Sequence, residues 1–210
     1  MMATKEAKVM KGIDVSHWQG NIDFSKVKTD FAIIKAGGSD AGFYKDRKFE
    51  QNYAGFKSRK IPVGAYYFVG KKCKSRADGV ADAKRFITML KGKQFEMPVY
   101  IDFEAPDATF KEANTDACIG FCETMEAAGY FVGIYASDIS GFKERLNLTR
   151  LKPYSLWVAR YGSAPKYVTN YGIHQDSSTG RVAGIAGNVD TDICYVDYPS
   201  VIKKKHFNGF

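Results

Sequence analysis

The chain alternates between two hydrophobic periods. Runs whose successive residues change face, the period of a strand, lie at KGIDVSHW (11–18), FAIIKAG (31–37), PVGAYYFVG (62–70), MPVYIDFE (97–104), FVGIYAS (131–137), SLWVARYG (155–162), YGIHQDS (171–177) and VDTDICYV (189–196). Helical periods separate most of them. A short helix is expected near FSKVK (24–28), a longer one over KFEQNYAGFKSRK (48–60) and a weak one at SGFKERL (140–146). Two more have clear punctuation. Ser75 and Asp78 form a capping-box pattern, Val80, Ala83, Ile87 and Leu90 follow at helical spacing, and Gly92 can end the helix. Asn114 is the expected N-cap of the next, which runs to Ala128 before Gly129. Between the last three strands there is little or no helix.

Repeated strand–helix alternation predicts parallel strands with right-handed crossovers, and eight strands favour a closed barrel over an open sheet. Catalytic groups of such barrels lie at the C-terminal strand ends. The expected organisation is one domain: an N-terminal extension at 1–11, a barrel at 12–198, and a tail at 199–210 that could open a linker.

VYIDFE carries the most informative pattern. Val99, Ile101 and Phe103 share one face of a strand; Tyr100, Asp102 and Glu104 share the other. In a barrel the first set meets the helices and the second points inward. Two carboxylates on one inward face need solvent, a partner or a shifted pKa. Asp14 on the first strand and Asp190 and Asp192 on the last would converge on the same mouth, with Tyr66, Tyr135, Trp157 and Gln175 from intervening strands.

Charge and composition narrow the chemistry. The net charge of +8 favours anionic partners, but the basic residues are scattered apart from KKCK (71–74) and KKK (203–205), and no nucleic-acid motif accompanies them. No apolar run approaches the roughly 20 residues of a membrane span, and MMATKEAKVMKG has no apolar centre of a secretion signal. Cys118, Phe121, Cys122 and Met125 fit one apolar helix stripe, Cys73 and Cys194 are isolated, and the three histidines are far apart, so neither metal nor cofactor is expected. Acids and aromatic rings in a cleft suit glycoside hydrolysis. That reaction needs a protonated carboxyl to protonate the leaving oxygen and negative charge to stabilise an oxocarbenium-like centre. Acids close together raise one another's proton affinity, which makes Glu104 the candidate proton donor.

GIDVSHWQG (12–20), VYIDFE (99–104) and the closing GRVAGIAGNVDTDICY (180–195), in this order, resemble the glycoside hydrolase family 25 muramidases of phage endolysins and bacterial autolysins. The resemblance implies a (β/α)5β3 variant of the TIM barrel. It also implies cleavage of the β-1,4 bond between N-acetylmuramic acid and N-acetylglucosamine in peptidoglycan, by a monomer acting on the cell wall after lysis or secretion. By resemblance Glu104 is the general acid/base and Asp102 stabilises the transition state, as nucleophile or by orienting the substrate acetamido group. Asp14, Asp190, Tyr66, Tyr135, Trp157, Gln175 and Lys35 match substrate-binding positions. The chain departs from the family pattern at AGGSD (36–40), where an acid is absent or displaced to Asp40, at Tyr67 and at His174. Two other readings are a chitinase-like glucosaminidase and a cell-wall binding module without catalysis.

Overall fold

The computed structural model of the protein describes residues 9–210. Eight strands close into a barrel: β1 (Met10–Val15), β2 (Phe31–Gly38), β4 (Val63–Phe68), β5 (Val99–Asp102), β6 (Val132–Ser137), β7 (Ser155–Ala159), β8 (Ile173–Gly180) and β9 (Val189–Cys194). Closure comes from β1, which pairs with β2 on one side and β9 on the other. A two-residue strand, β3 (Tyr44–Lys45), adds to β2 at the mouth. Strands β1 to β8 of the barrel run parallel, whereas β9 is antiparallel to both β8 and β1. This reversal brings the beginning of β9, not its end, to the C-terminal mouth, so Asp190 lies opposite Asp14.

The alternation in VYIDFE sorts the core as its pattern predicts. Val99, Ile101 and Phe103 join the layer between strands and helices with Phe86, Phe121 and Cys122, while Tyr100 belongs to an inner cluster with Phe31, Ile33 and Trp157. The outer layer is α1 (Phe49–Ser58), α2 (Arg76–Leu90) and α3 (Lys111–Ala127). Helices α2 and α3 end at Gly92 and Gly129, whose φ values of +76° and +83° suit a residue without Cβ. Cys118, Phe121, Cys122 and Met125 are fully buried on α3, and all four cysteines are free thiols.

Three local expectations change. FSKVK forms turns instead of a helix, since five residues with no long amphipathic face cannot offset the cost of nucleating one. Asn114 is not an N-cap: α3 starts at Lys111, behind a 3-10 turn capped by Asp107, and Asn114 is buried within it, donating to the Asp107 and Arg145 carbonyls (2.8 and 3.3 Å). SGFKERL folds as a π-type turn over Asp138–Lys143, and the helical α4 (Leu148–Leu151) follows it.

Both ends of the described residues belong to the barrel. Met10 and Lys11, expected in an extension, already pair with Cys194 and Ile193, and residues 1–8 lie outside the described residues. The expected tail is instead a floor for the barrel, because its apolar side chains have a place to bury. Helix α5 (Tyr198–Lys204) sends Tyr198 and Ile202 into the inner cluster, where Phe131 packs on Tyr198 and Phe207 (centroids 5.6 and 6.1 Å). Asn208, fully buried at φ +55°, donates to the carbonyls of Phe95 and Met97 (3.2 and 3.0 Å) and accepts from the Phe131 N–H (2.7 Å).

Candidate active site

At the C-terminal mouth a cavity of about 200 Å³ is lined by Asp14, Lys35, Tyr66, Asp102, Glu104, Tyr135, Trp157, Gln175 and Asp190, with Trp18 and Phe68. The nine residues singled out from sequence thus share one pocket, and the barrel's register explains why. Asp102 lies across from Phe68 and Tyr135, Tyr135 from Trp157, Tyr66 from Lys35, and Asp14 from Asp190. Glu104 is two residues past Asp102, beyond the last paired residue of β5. It stays open to solvent at the rim while protein surrounds it on several sides. Asp40 lines a neighbouring pocket instead.

Aromatic rings build the floor. Trp157 meets Tyr135, Tyr100 and Tyr66 at centroid separations of 4.5, 5.2 and 6.1 Å. Its indole N–H donates to the buried Asp192 (2.7 Å). Asp192 therefore holds the floor from beneath, while Asp190, two residues earlier on the same face, reaches the mouth. Lys35 is buried with its Nζ 4.6 Å from the centre of the Phe68 ring and 5.6 and 6.0 Å from Tyr44 and Tyr66. The rings cover that side of the ammonium and attract it by cation–π contact.

The carboxyl groups cannot all ionise at ordinary values. Burial pushes Asp102 well up, Glu104 adds to the push, and Lys35 opposes it. Burial and then Asp190 raise Asp14 well above the usual range, against a hydrogen bond from Gln175. Burial raises Glu104; Arg145 and Lys35 hold it back, and Asp190 adds to the rise. Desolvation also lifts Asp190. One buried oxygen of Asp102, Oδ1, has no hydrogen-bond partner, so no hydrogen bond within the protein stabilises a charge placed there.

Several residues that build the mouth lie in loops without a readable period. Trp18 is 80% exposed on a 3-10 turn (His17–Gln19) capped by Ser16. The buried Asp46 fixes that turn, accepting from the His17 backbone N–H and ring Nδ1 (3.1 and 2.7 Å). Tyr161 donates to Gln175 Oε1 (3.0 Å) from the loop after β7. That loop hangs on Asp138: burial alone would raise this carboxyl, but the N–H groups of Lys166, Val168 and Tyr167 and the Arg160 guanidinium outweigh it and hold it low. Among these, Trp18 belongs to GIDVSHWQG, where a tryptophan beside a capping-box Ser16–Gln19 pair marks an exposed ring on a short turn. Among the described residues no group of three or more His, Cys, Asp or Glu side chains is arranged to hold a metal ion.

Comparison with known proteins agrees with the geometry. The model of the glycosyl hydrolases family 25 matches residues 13–185. The chain belongs to this family. It is 29% identical over 187 residues to the autolytic lysozyme of Clostridium acetobutylicum, covering 87% of this chain and 55% of that protein. The family 25 chain also superposes on the CTP1L endolysin with a TM-score of 0.79 at 27% identity, over 93% of this chain and 70% of that one. The modular autolysin LytC of Streptococcus pneumoniae, solved with a synthetic peptidoglycan ligand, gives 0.76 at 26%, over 89% and 47%. The chain thus spans about half the length of the curated lysozyme it matches.

Proposed function

We propose that this family 25 chain is an N-acetylmuramidase that hydrolyses the β-1,4 bond on the reducing side of N-acetylmuramic acid in peptidoglycan. The observation that carries the reading is the convergence of Asp14, Asp102, Glu104 and Asp190, from three strands and a loop, on one aromatic-floored cavity. The names of the lysozyme and autolysin relatives support it.

Glu104 is the proton donor. Its raised affinity for a proton keeps it in the acid form needed to protonate the departing oxygen, and its place at the rim lets water reach it afterwards for the reverse transfer. Asp102 is the second catalytic group. Its unpartnered oxygen becomes favourable once positive charge develops in the sugar, when an ion that the empty fold penalises gains a counter-charge. Lys35 limits the accumulation of negative charge around the pair. Asp14, Asp190, Tyr66, Tyr135, Trp157 and Gln175 bind and orient the sugars, and Trp18 offers a flat apolar face at the entrance.

The protein acts on the cell wall, and no helix of the described residues is long and apolar enough to cross a membrane. It works as a monomer: among the described residues the closed barrel leaves the two-residue β3 as its one strand edge. Mass spectrometry of digested sacculi tests the activity. Reducing-end muramic acid from the intact protein, and a loss of about 10²- to 10⁴-fold in rate for Glu104→Gln, are expected. Reducing-end glucosamine would point to the glucosaminidase reading, and unaltered clearance by Glu104→Gln to a binding module.

A further inference from the structure

Beside the catalytic cavity lies a second one of about 430 Å³, lined by Ser39, Asp40, Phe68, Lys71, Lys72 and Ala105. The two cavities adjoin: Phe68 lines both, and Ala105 follows Glu104 in the chain. Its outer wall is a turn with Lys71 and Lys72 at the central positions, closed by the Cys73 N–H donating to the Gly70 carbonyl (3.0 Å). The turn is anchored at both ends. Cys73 is 2% exposed, and the Gly70 N–H donates to Ser39 Oγ (3.1 Å), whose hydroxyl donates to the buried Asp82 (3.0 Å). Gly70 is close enough to the Asp40 backbone that an added Cβ would lie 2.6 Å from Asp40 Cα. Both lysines are exposed, and neither is in an ion pair among the described residues. The one acid in the wall, Asp40, is engaged with the Tyr44 hydroxyl.

We propose that this cavity is a subsite for the peptide stem of peptidoglycan, with stem carboxylates held by Lys71 and Lys72. The inference rests on the muramidase reading. Cleavage on the reducing side of muramic acid puts that sugar, and the peptide carried on its lactyl group, at Asp102 and Glu104. The stem must therefore leave the cleft right beside them. The catalytic cavity already crowds four carboxyl groups around one buried ammonium, whereas its neighbour offers two unpaired ammonium groups on an anchored turn. Cationic side chains carried on an anchored turn favour anionic ligands, and the backbone beneath them need not be ordered on binding.

The test compares intact peptidoglycan with the same glycan stripped of stems by an amidase, for the wild-type protein and for a Lys71→Ala, Lys72→Ala double variant. Both lysines are exposed, and a thermal melt checks that folding is retained. The expected result is that the wild-type ratio of kcat/KM, stem-bearing over stem-free, falls about 5- to 20-fold in the double variant, mainly through KM, and that added salt lowers the wild-type ratio. An unchanged ratio, with muramic acid ends still formed from both substrates, would overturn the subsite alone. Absence of those ends from both substrates would overturn the muramidase reading and the subsite with it.

Discussion

Gln175 ties the two sides of the cleft together: its Nε2 donates to Asp14 Oδ2 at 2.7 Å while its Oε1 accepts from both Tyr135 and Tyr161 (2.9 and 3.0 Å). One amide thus fixes an acid of the first strand, a tyrosine of the sixth and the loop after the seventh. Gln175→Leu removes all three bonds at once. Each buried group left unmatched costs about 1 to 3 kcal/mol, and Asp14 loses the bond that moderates its raised proton affinity. Expected are a clear drop in the unfolding midpoint by urea titration and a fall in kcat/KM of at least about tenfold, equivalent to ~1.4 kcal/mol.

Asp102→Asn should separate stability from activity. Asp102 holds its proton more tightly in the folded chain than in the unfolded one, because burial and Glu104 penalise the charge. The native state then binds more protons, so the wild-type protein is most stable below the unfolded Asp value of about 3.9 and loses stability as pH rises through the folded value. The uncharged asparagine escapes that loss. Melting curves should show Asp102→Asn above the wild type near pH 7, with the gain vanishing toward pH 4, while hydrolysis falls by orders of magnitude. A variant less stable than the wild type at pH 7 would count against the assigned shift.

Arg145 controls the alkaline limb. Its charge opposes the rise of Glu104, and its Nε and Nη1 donate to the carbonyls of Pro106 and Ser140 (2.5 and 2.9 Å). Glu104 must be protonated to act as the acid, so activity falls as pH rises through its folded pKa. Arg145→Met removes a charge that lowers that pKa, and the falling limb of kcat/KM should move to higher pH. Arg145→Lys, which keeps the charge, should leave the limb in place even if the lost hydrogen bonds reduce the overall rate.

Trp18→Ala tests the entrance platform. A side chain 80% exposed contributes little to folding, so the melting temperature should hardly move. KM on polymeric peptidoglycan should rise about tenfold, or ~1.4 kcal/mol, with kcat much less affected. Equal KM values would remove Trp18 from the binding surface.

Asn208→Ala should be among the most destabilising changes far from the cleft. Its amide serves the Phe95 and Met97 carbonyls and the Phe131 N–H, all at the barrel floor. Three unmatched groups at roughly 1 kcal/mol each predict a loss of about 3 kcal/mol, near 6 to 12 °C in Tm for a chain of this size.

What could be read from the sequence followed from periodicity. Asp102 and Glu104 were visible because strand alternation decides which face Val99 and Ile101 take, and the barrel then decides what each face meets. Asp190 was visible by the same rule, although alternation cannot tell strand direction, and only the reversal of β9 brings it to the mouth. Tyr161, Arg145 and Asp46 were silent because each belongs to an irregular segment whose position depends on partners far along the chain, as Asp138 with residues 166–168 shows. Asn114 and Asn208 misled or escaped notice for a related reason. An asparagine reads as a surface cap or turn until its amide is matched with buried carbonyls that no local pattern reveals.

The seam between β1 and β9 has a consequence for biosynthesis. Met10 waits for Cys194, so the ring cannot shut until nearly every other stave has emerged from the ribosome. A nascent or nicked chain short of that point would expose two raw sheet borders, each a template for sticking to a second copy. The yield of usable protein should therefore fall the longer a chain waits unclosed for β9.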